Sequence, residues 1–128
     1  MKNCFIFSGQ GSHRPGMSSN LYNTFQLAKD RIELSNNILG YDISEIMFSA
    51  EENVLRQTQY AQPAIFIHST IIFDLIKDQK ECVAVAGHSL GEFCALYANN
   101  FFDFETGLQI VDIRAKAMHE CELKNPGK

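Results

Sequence analysis

The segment CVAVAGHSLGE, residues 82–92, sets the architecture of this chain. Cys82–Ala86 is a continuous apolar run of strand length, which predicts a buried β-strand. Gly87 ends that run, and a helix is predicted over Leu90–Ala98. Between strand and helix lies GHSLG, residues 87–91, and a G-x-S-x-G motif in this strand–turn–helix context indicates a nucleophile elbow.

Two interpretations compete for Ser89. In a nucleophile elbow the serine occupies a strained turn that lifts its hydroxyl above the sheet, and the flanking glycines avoid collisions across the turn. The next amide and the positive end of the helix then point at an incoming carbonyl oxygen. Alternatively, Ser89 and Glu92 form a capping box that only closes the start of the helix. Because a capping box needs neither the glycines nor a preceding strand, the sequence favours the elbow.

A second strand and a second glycine loop lie near the amino terminus. Cys4–Phe7 is a short apolar run, and the loop GQGSHRPG, residues 9–16, is rich in residues that break regular structure. Arg14 replaces the third glycine of a dinucleotide fingerprint, and no Lys-Ser/Thr pair of a phosphate-binding loop is present, so both nucleotide interpretations fail. The glycines suit either an ordinary turn or a loop that approaches a ligand, with the Gln10 amide as an oxyanion donor.

The remaining segments predict helices around these strands. The apolar residues after Pro63, through Ile76, predict a deeply buried helix with this proline in its first turn. Asp103 is expected to cap a helix over Phe104–Cys121. The other expected elements are a helix over Met17–Glu33, a turn at Asn36–Asp42, one or two short helices within Ser44–Arg56 with Ser44 as N-cap, and a loop at 124–128.

Strands that alternate with helices predict an α/β fold with parallel strands. Only two strands are convincing, whereas a parallel sheet covered on both faces usually has about four or more. The sequence therefore predicts a piece of a larger domain.

The composition of this chain of 128 residues and 14.5 kDa is ordinary for a globular protein, with 45% hydrophobic and 20% charged residues. A net charge of −4 without a cationic cluster argues against nucleic-acid and anionic-membrane partners. No apolar run approaches the ~18 residues of a membrane span, and the first one is too short for a signal peptide, so we expect a soluble, cytoplasmic protein. The cysteines lack metal-ligand spacing and are expected to be reduced and mostly buried: Cys4, Cys82, Cys94 and Cys121.

A serine nucleophile needs a base, usually a histidine, and none of the four histidines is favoured for that role. His88 should project away from the neighbouring serine on a sharp turn, and His68 is most simply a core histidine. His13 lies in the glycine loop and His119 on the last helix. In hydrolase-type α/β folds the histidine follows late in the chain, so we expect the base outside these residues.

Arg114 lies at the edge of the apolar stripe of the last helix. Its simplest role is to cover apolar surface with its stem while the guanidinium stays in water. Arginine is also the side chain best suited to hold a substrate carboxylate through two parallel hydrogen bonds.

Three motifs and this arginine, taken in order and spacing, resemble the malonyl-CoA:acyl carrier protein transacylases and the related acyltransferase domains of fatty-acid and polyketide synthases. The motifs are FIFSGQGS at 5–12, QPA at 62–64 and GHSLGE at 87–92. The resemblance implies that Ser89 is the acyl-accepting nucleophile and that the backbone amides of Gln10 and Leu90 form the oxyanion hole. It implies that Arg114 binds the malonyl carboxylate. Gln62 lies in a family segment near the pocket and receives no firm role.

The resemblance also implies an architecture. Residues 1–128 would form the first part of an α/β-hydrolase-like large subdomain, and so an incomplete domain. The family's ferredoxin-like small subdomain and its catalytic histidine would lie outside this chain. Ser8 and His13 depart from the proline and glutamine usual at those positions, and neither touches the implied chemistry directly.

The implied activity is ping-pong acyl transfer in fatty-acid or polyketide biosynthesis. A malonyl group would pass from malonyl-CoA to Ser89, and then to the phosphopantetheine thiol of acyl carrier protein, without a metal or cofactor. The complete enzyme is expected to be a monomer, and this chain alone is expected to be inactive because the base is missing.

Two other functions remain compatible with the sequence. A serine esterase or thioesterase could use the same elbow, and would release free acid to water with little dependence on Arg114. A truncated, non-catalytic domain could instead bind a partner or serve as a scaffold.

Overall fold

The computed structural model describes residues 1–127, so Lys128, the end of the predicted C-terminal loop, lies outside the described residues. Two parallel strands form a sheet, with helices packed on one side. The strands are β1 (Lys2–Phe7) and β2 (Glu81–Gly87). The helices are α1 (Ser19–Thr24), α2 (Gln26–Leu39), α3 (Ile43–Ser49), α4 (Glu52–Leu55), α5 (Thr58–Ile76), α6 (Gly91–Ala98) and α7 (Phe104–Lys124). The predicted α/β class and both predicted strands are confirmed.

The pairing of the two strands brings the two glycine loops together. β1 and β2 run parallel, with Lys2 opposite Glu81 and Phe7 opposite Gly87. Parallel strands end at the same edge of a sheet. The loop after β1 and the turn after β2 therefore begin side by side.

The two faces of β1 differ in burial. Phe5 and Phe7 point toward α5, where their rings lie 5.3 and 5.9 Å from the ring of Phe73 in edge-to-face contact. Ile6, on the opposite face, is 78% exposed. Because side chains alternate along a strand, this pattern places the core between the sheet and α5.

α5 is the central helix of the core and is buried around most of its circumference, as its apolar sequence predicted. Both α6 and α7 pack against it. The prediction that Pro63 lies in the first turn was wrong, because α5 begins at Thr58. Ala61 and Gln62 are fully buried, so packing holds this turn helical although proline cannot donate a backbone hydrogen bond.

The single helix predicted over Met17–Glu33 is divided at Phe25, whose backbone is extended (φ −118°, ψ 125°). The residues before it have weak helix propensity, which favours a break there. α2 then continues to Leu39, which is buried, so the turn predicted at Asn36–Asp42 starts later than expected. Gly40 ends the helix in the left-handed conformation (φ 77°).

The predicted short helical segment forms two helices, α3 and α4, but its N-cap is Asp42 and not Ser44. The Asp42 carboxylate accepts a hydrogen bond from the Glu45 amide at 3.0 Å, and Ser44 donates its hydroxyl proton to the same carboxylate. These two hydrogen bonds lower the pKa of Asp42. A carboxylate also gains more than a hydroxyl from the helix dipole, which explains the choice of cap. Asp103 caps α7 as predicted, accepting from the Thr106 amide at 2.8 Å.

All four cysteines are free, as expected, but the expectation that most are buried was wrong. Cys94 alone is buried, and burial raises the pKa of its thiol to about 12. Cys4 and Cys82 are exposed because they lie on strands that the helices of residues 1–127 leave partly uncovered. Cys121 is exposed in the last turns of α7.

A buried ion pair ties α2 to α5. The Asp74 carboxylate, 6% exposed, accepts hydrogen bonds from Arg31 and Tyr97 and lies 3.0 Å from the Lys77 ammonium. The Arg31 guanidinium also lies over the ring of Phe104, 4.6 Å from its centroid. Burial by itself raises the pKa of Asp74, but hydrogen bonds from Tyr97, Arg31 and Lys77 outweigh it, and the pKa lies below its ordinary value.

We expect Asp74→Asn to lower the free energy of unfolding by about 3 kcal/mol, because Arg31 then loses its buried counterion. Urea denaturation at neutral pH measures this loss. Asp30→Asn, at an exposed position of α2, is the matched control and should change stability by less than about 0.5 kcal/mol.

The same pair should make stability depend on acid pH. Because the folded-state pKa of Asp74 is lowered, its contribution is present above the unfolded-state pKa and is lost as pH falls through the lowered value. The stability difference between wild type and Asp74→Asn should therefore shrink in acid. A difference that stays constant over that range would contradict this assignment.

Candidate active site

Ser89 lies at the tip of the sharp turn between β2 and α6, with a left-handed backbone (φ 53°). Residues other than glycine rarely adopt this conformation, so the turn is strained. Ser89 is exposed, whereas Leu90 is fully buried and anchors the turn in the core. No side chain caps the amino terminus of α6, so the capping box with Glu92 does not form. The predicted elbow geometry is confirmed.

The glycines around this turn are required by backbone contacts. A Cβ atom on Gly87 would lie 2.1 Å from the Gly91 carbonyl oxygen, and one on Gly91 would lie 2.2 Å from the Phe7 carbonyl oxygen. A Cβ atom on Gly9 would lie 2.5 Å from the His88 carbonyl oxygen. The end of β1, the loop after it and the elbow therefore pack backbone against backbone.

This packing brings the two predicted oxyanion amides to the same edge of the sheet. The His88 amide donates to the Phe7 carbonyl at 3.1 Å and joins the elbow to β1. Within residues 1–127, the amides of Gln10 and Leu90 donate no hydrogen bond. Gln10 is exposed and Leu90 is fully buried, and an amide that has no acceptor at this edge can donate to a ligand oxygen.

A polar chain holds the Gln10 loop against two helices. Gln10 Nε2 donates to Thr58 Oγ1 at 3.0 Å, and that hydroxyl donates to the Glu122 carboxylate at 2.8 Å. Thr58 begins α5 and Glu122 lies near the end of α7. The side chain of Gln10 thus fixes the loop that presents its own backbone amide.

Arg114 extends from α7 to the elbow. Its Nη2 donates to Ser89 Oγ at 3.2 Å, and its Nη1 donates to Gln62 Oε1 at 2.6 Å. The guanidinium carbon lies 5.3 Å from the ring centroid of Phe93. Three contacts from three elements hold this cation beside the serine, so a role limited to covering apolar surface does not describe it.

Gln62 is the residue whose importance the sequence did not reveal. It is fully buried in α5, and its amide lies between the guanidinium of Arg114 and Met118 Sδ, 3.2 Å away. A buried amide requires hydrogen-bond partners, and Arg114 supplies one. The available signal was a glutamine directly before Pro63 and the apolar run that follows it, but the sequence gives no indication of which residue it meets.

The histidines take separate positions. His13 lies 3.4 Å from the Glu52 carboxylate, and His68 Nδ1 lies 2.7 Å from Ser18 Oγ. His88 is exposed on the elbow, and His119 is half-buried in α7. Among residues 1–127, the hydrogen bond to the hydroxyl of the elbow serine comes from Arg114 and not from an imidazole. The expectation that the general base lies outside this chain stays a prediction.

Residues 1–127 contain no group of histidine, cysteine, aspartate and glutamate side chains arranged to hold a metal ion. None of the helices in that range has the length and apolar character needed to cross a membrane.

Comparisons of this sequence with a family model and with known proteins identify the same family. The acyl transferase domain family matches residues 4–128. The malonyl CoA-acyl carrier protein transacylase of Synechocystis is 41% identical over 119 residues, which are 92% of this chain and 40% of that protein. The polyketide biosynthesis malonyl CoA-acyl carrier protein transacylase PksC of Bacillus subtilis is 41% identical over 117 residues, 89% of this chain and 39% of that protein.

Solved structures agree with the sequence relatives. The crystal structure of the Synechocystis transacylase matches with a TM-score of 0.88 and 40% identity, over 94% of this chain and 41% of that one. A malonyl-transacylase in complex with its type II polyketide synthase acyl-carrier protein matches with a TM-score of 0.84 and 32% identity, over 91% and 38% of the two chains. The chain thus spans about 40% of the length of these relatives.

We expect Gly87→Ala to destabilise the protein by about 3 kcal/mol or more, because the added methyl group would collide with backbone atoms that cannot rotate away. Urea denaturation measures the change. Gly127→Ala, where a Cβ atom would meet nothing within 4 Å, is the control and should be neutral. Equal stability of the two variants would show that the elbow is not packed in this way.

Proposed function

The chain belongs to the acyl transferase domain family, and on that basis we propose that its protein transfers a malonyl group from coenzyme A to acyl carrier protein in fatty-acid or polyketide biosynthesis. One observation carries the proposal: a guanidinium held 3.2 Å from the hydroxyl of an elbow serine, Arg114 beside Ser89. The names of the relatives support the choice of malonyl-CoA and acyl carrier protein as reactants.

In the first half-reaction Ser89 Oγ attacks the thioester carbonyl of malonyl-CoA. A general base outside this chain accepts the hydroxyl proton, and the amides of Gln10 and Leu90 stabilise the oxyanion of the tetrahedral intermediate. The intermediate collapses, the C–S bond breaks, and coenzyme A leaves with a proton on its sulfur. The products are a malonyl ester of Ser89 and free coenzyme A.

In the second half-reaction the phosphopantetheine thiol of acyl carrier protein attacks the malonyl ester. The thiol loses its proton, the ester C–O bond breaks, and the serine oxygen regains a proton. The same two amides serve both steps because both pass through an oxyanion at the same carbonyl carbon.

Arg114 selects for a malonyl group because its guanidinium lies beside the hydroxyl of Ser89. One methylene separates the two carbonyl carbons of a malonyl group, so a carboxylate attached to Ser89 through that short link comes within reach of an adjacent guanidinium. Gln62 keeps hold of Nη1, while Nη2 can exchange the serine hydroxyl for the carboxylate. An acetyl group offers no charge to this cation and cannot form the charge-assisted hydrogen bonds that a carboxylate forms with a guanidinium.

The position of Arg114 beside Ser89 favours a transferase over a general serine hydrolase. An esterase needs the elbow and the oxyanion amides but has no use for a fixed positive charge at the acyl position. Arg114 also holds the acyl group in one orientation, which favours transfer to a positioned thiol over attack by water.

We expect Arg114→Ala to lower malonyl transfer by roughly ten- to a hundredfold more than acetyl transfer, because only the malonyl group loses a charged hydrogen bond. Rates of transfer to acyl carrier protein, measured with the complete protein and both thioesters, give the ratio. Lys116→Ala, an exposed cation on the same helix, is the control and should leave both rates unchanged. An equal loss with both thioesters would contradict carboxylate selection.

Intact-mass spectrometry after mixing the complete protein with malonyl-CoA tests the nucleophile. We expect a malonyl adduct on the wild type and on Ser49→Ala, which removes an exposed hydroxyl at the end of α3, and no adduct on Ser89→Ala. Persistence of the adduct on Ser89→Ala would refute the assigned nucleophile. Rapid release of malonate without acyl carrier protein would instead indicate a hydrolase.

A further inference from the structure

A polar cavity of about 380 Å³ opens beside α1, outside the machinery assigned to acyl transfer. Its wall combines the loop that carries Arg14, the start of α1 with Ser18, and the α5 residues His68 and Ile72. We propose that this cavity binds a small phosphate-type oxyanion. The proposal does not depend on the chemistry of Ser89.

The charge of the cavity is positive. Arg14 is exposed and forms no ion pair with a carboxylate in residues 1–127. No acidic residue is among those that line the cavity, and the lining residues from α1 and α5 are uncharged apart from the titratable His68. A guanidinium without a counterion at a concave polar surface is a suitable ligand for phosphate.

Ser18 orients the imidazole of His68 in this wall. It is almost fully buried and has a left-handed backbone (φ 67°), which is unusual for serine. Its hydroxyl does not cap α1 and instead lies 2.7 Å from His68 Nδ1. When Nδ1 accepts this hydroxyl proton, the neutral ring carries its own proton on Nε2, which is then free to donate to a bound anion.

Burial lowers the pKa of His68, and the nearby charge of Arg14 lowers it further. Both effects favour the neutral form of the ring when no anion is bound. An anion between the two side chains would offset the charge of Arg14 and raise the pKa of His68. By linkage, the anion should bind more tightly as pH falls.

The size and donors of the cavity favour phosphate over a simple halide. Arg14 and His68 both line the cavity and carry N–H donors, and Asn20, whose Oδ1 accepts from the Leu21 amide, retains its NH₂ group as a donor. Several donors in the wall of one cavity suit a tetrahedral oxyanion with several acceptor oxygens. The volume exceeds the ~30 Å³ of one water many times over, so both free phosphate and a phosphate ester can enter.

The test follows the His68 ring by NMR in the complete protein, labelled at histidine and titrated with inorganic phosphate at constant ionic strength. We expect a saturable rise in the pKa of His68 that sodium chloride does not reproduce. Arg14→Gln should weaken phosphate binding roughly ten- to a hundredfold. Arg56→Gln, which removes an exposed arginine outside the cavity wall, should leave it unchanged.

A second titration with 4′-phosphopantetheine distinguishes the source of the phosphate. Saturable binding of either compound that requires Arg14 supports the site, and tighter binding of phosphopantetheine would identify an ester as the preferred ligand. No saturable shift with either compound, or equal weakening by Arg14→Gln and Arg56→Gln, would overturn the proposal. Because Arg14 is exposed, its replacement does not threaten the fold.

Discussion

The close approach of three backbone segments at the carboxyl edge of the sheet is the constraint on which the rest of the structure depends. The end of β1 accepts a hydrogen bond from His88, and the first turn of α6 approaches the Phe7 carbonyl so closely that only glycine fits at position 91. This contact turns the chain from strand to helix within a few residues and leaves Ser89 exposed at the corner. The Gln10 loop is fixed by the same contact, since Gly9 packs on the His88 carbonyl.

The second part of the site is the Arg114 guanidinium, which a buried residue of the core positions. Gln62 lies in the most buried helix, and it holds one side of the Arg114 guanidinium while the other side faces the serine hydroxyl. The cation is thus positioned by a neutral amide and not by a carboxylate, and so keeps its positive charge uncompensated at the site. An acidic partner at the position of Gln62 would hold the arginine equally well and cancel its attraction for an anionic acyl group.

The features that the sequence predicted well are those fixed by local chemistry. Strand β2 and the Asp103 cap depend on residues close by in the chain, and the spacing of Gly87, Ser89 and Gly91 identifies the elbow although the contact that requires Gly91 is with Phe7. The errors have non-local causes or depend on competition between neighbours. Pro63 lies inside a helix because packing of the preceding turn overrides the lost hydrogen bond. Asp42 is the cap in place of Ser44 because its carboxylate accepts from both the Glu45 amide and the Ser44 hydroxyl. Similarly, no pattern in the sequence reveals that Gln62 in α5 meets Arg114, which lies two helices later in α7.

The left-handed backbone at position 89 also restricts which amino acids could supply an oxygen or sulfur atom there. Threonine carries the same hydroxyl as serine, but its branched Cβ makes this region of conformational space far less accessible. Cysteine is unbranched and could adopt the turn as serine does. The backbone conformation at position 89 therefore favours serine over threonine because of side-chain shape, although the two alcohols react similarly in solution.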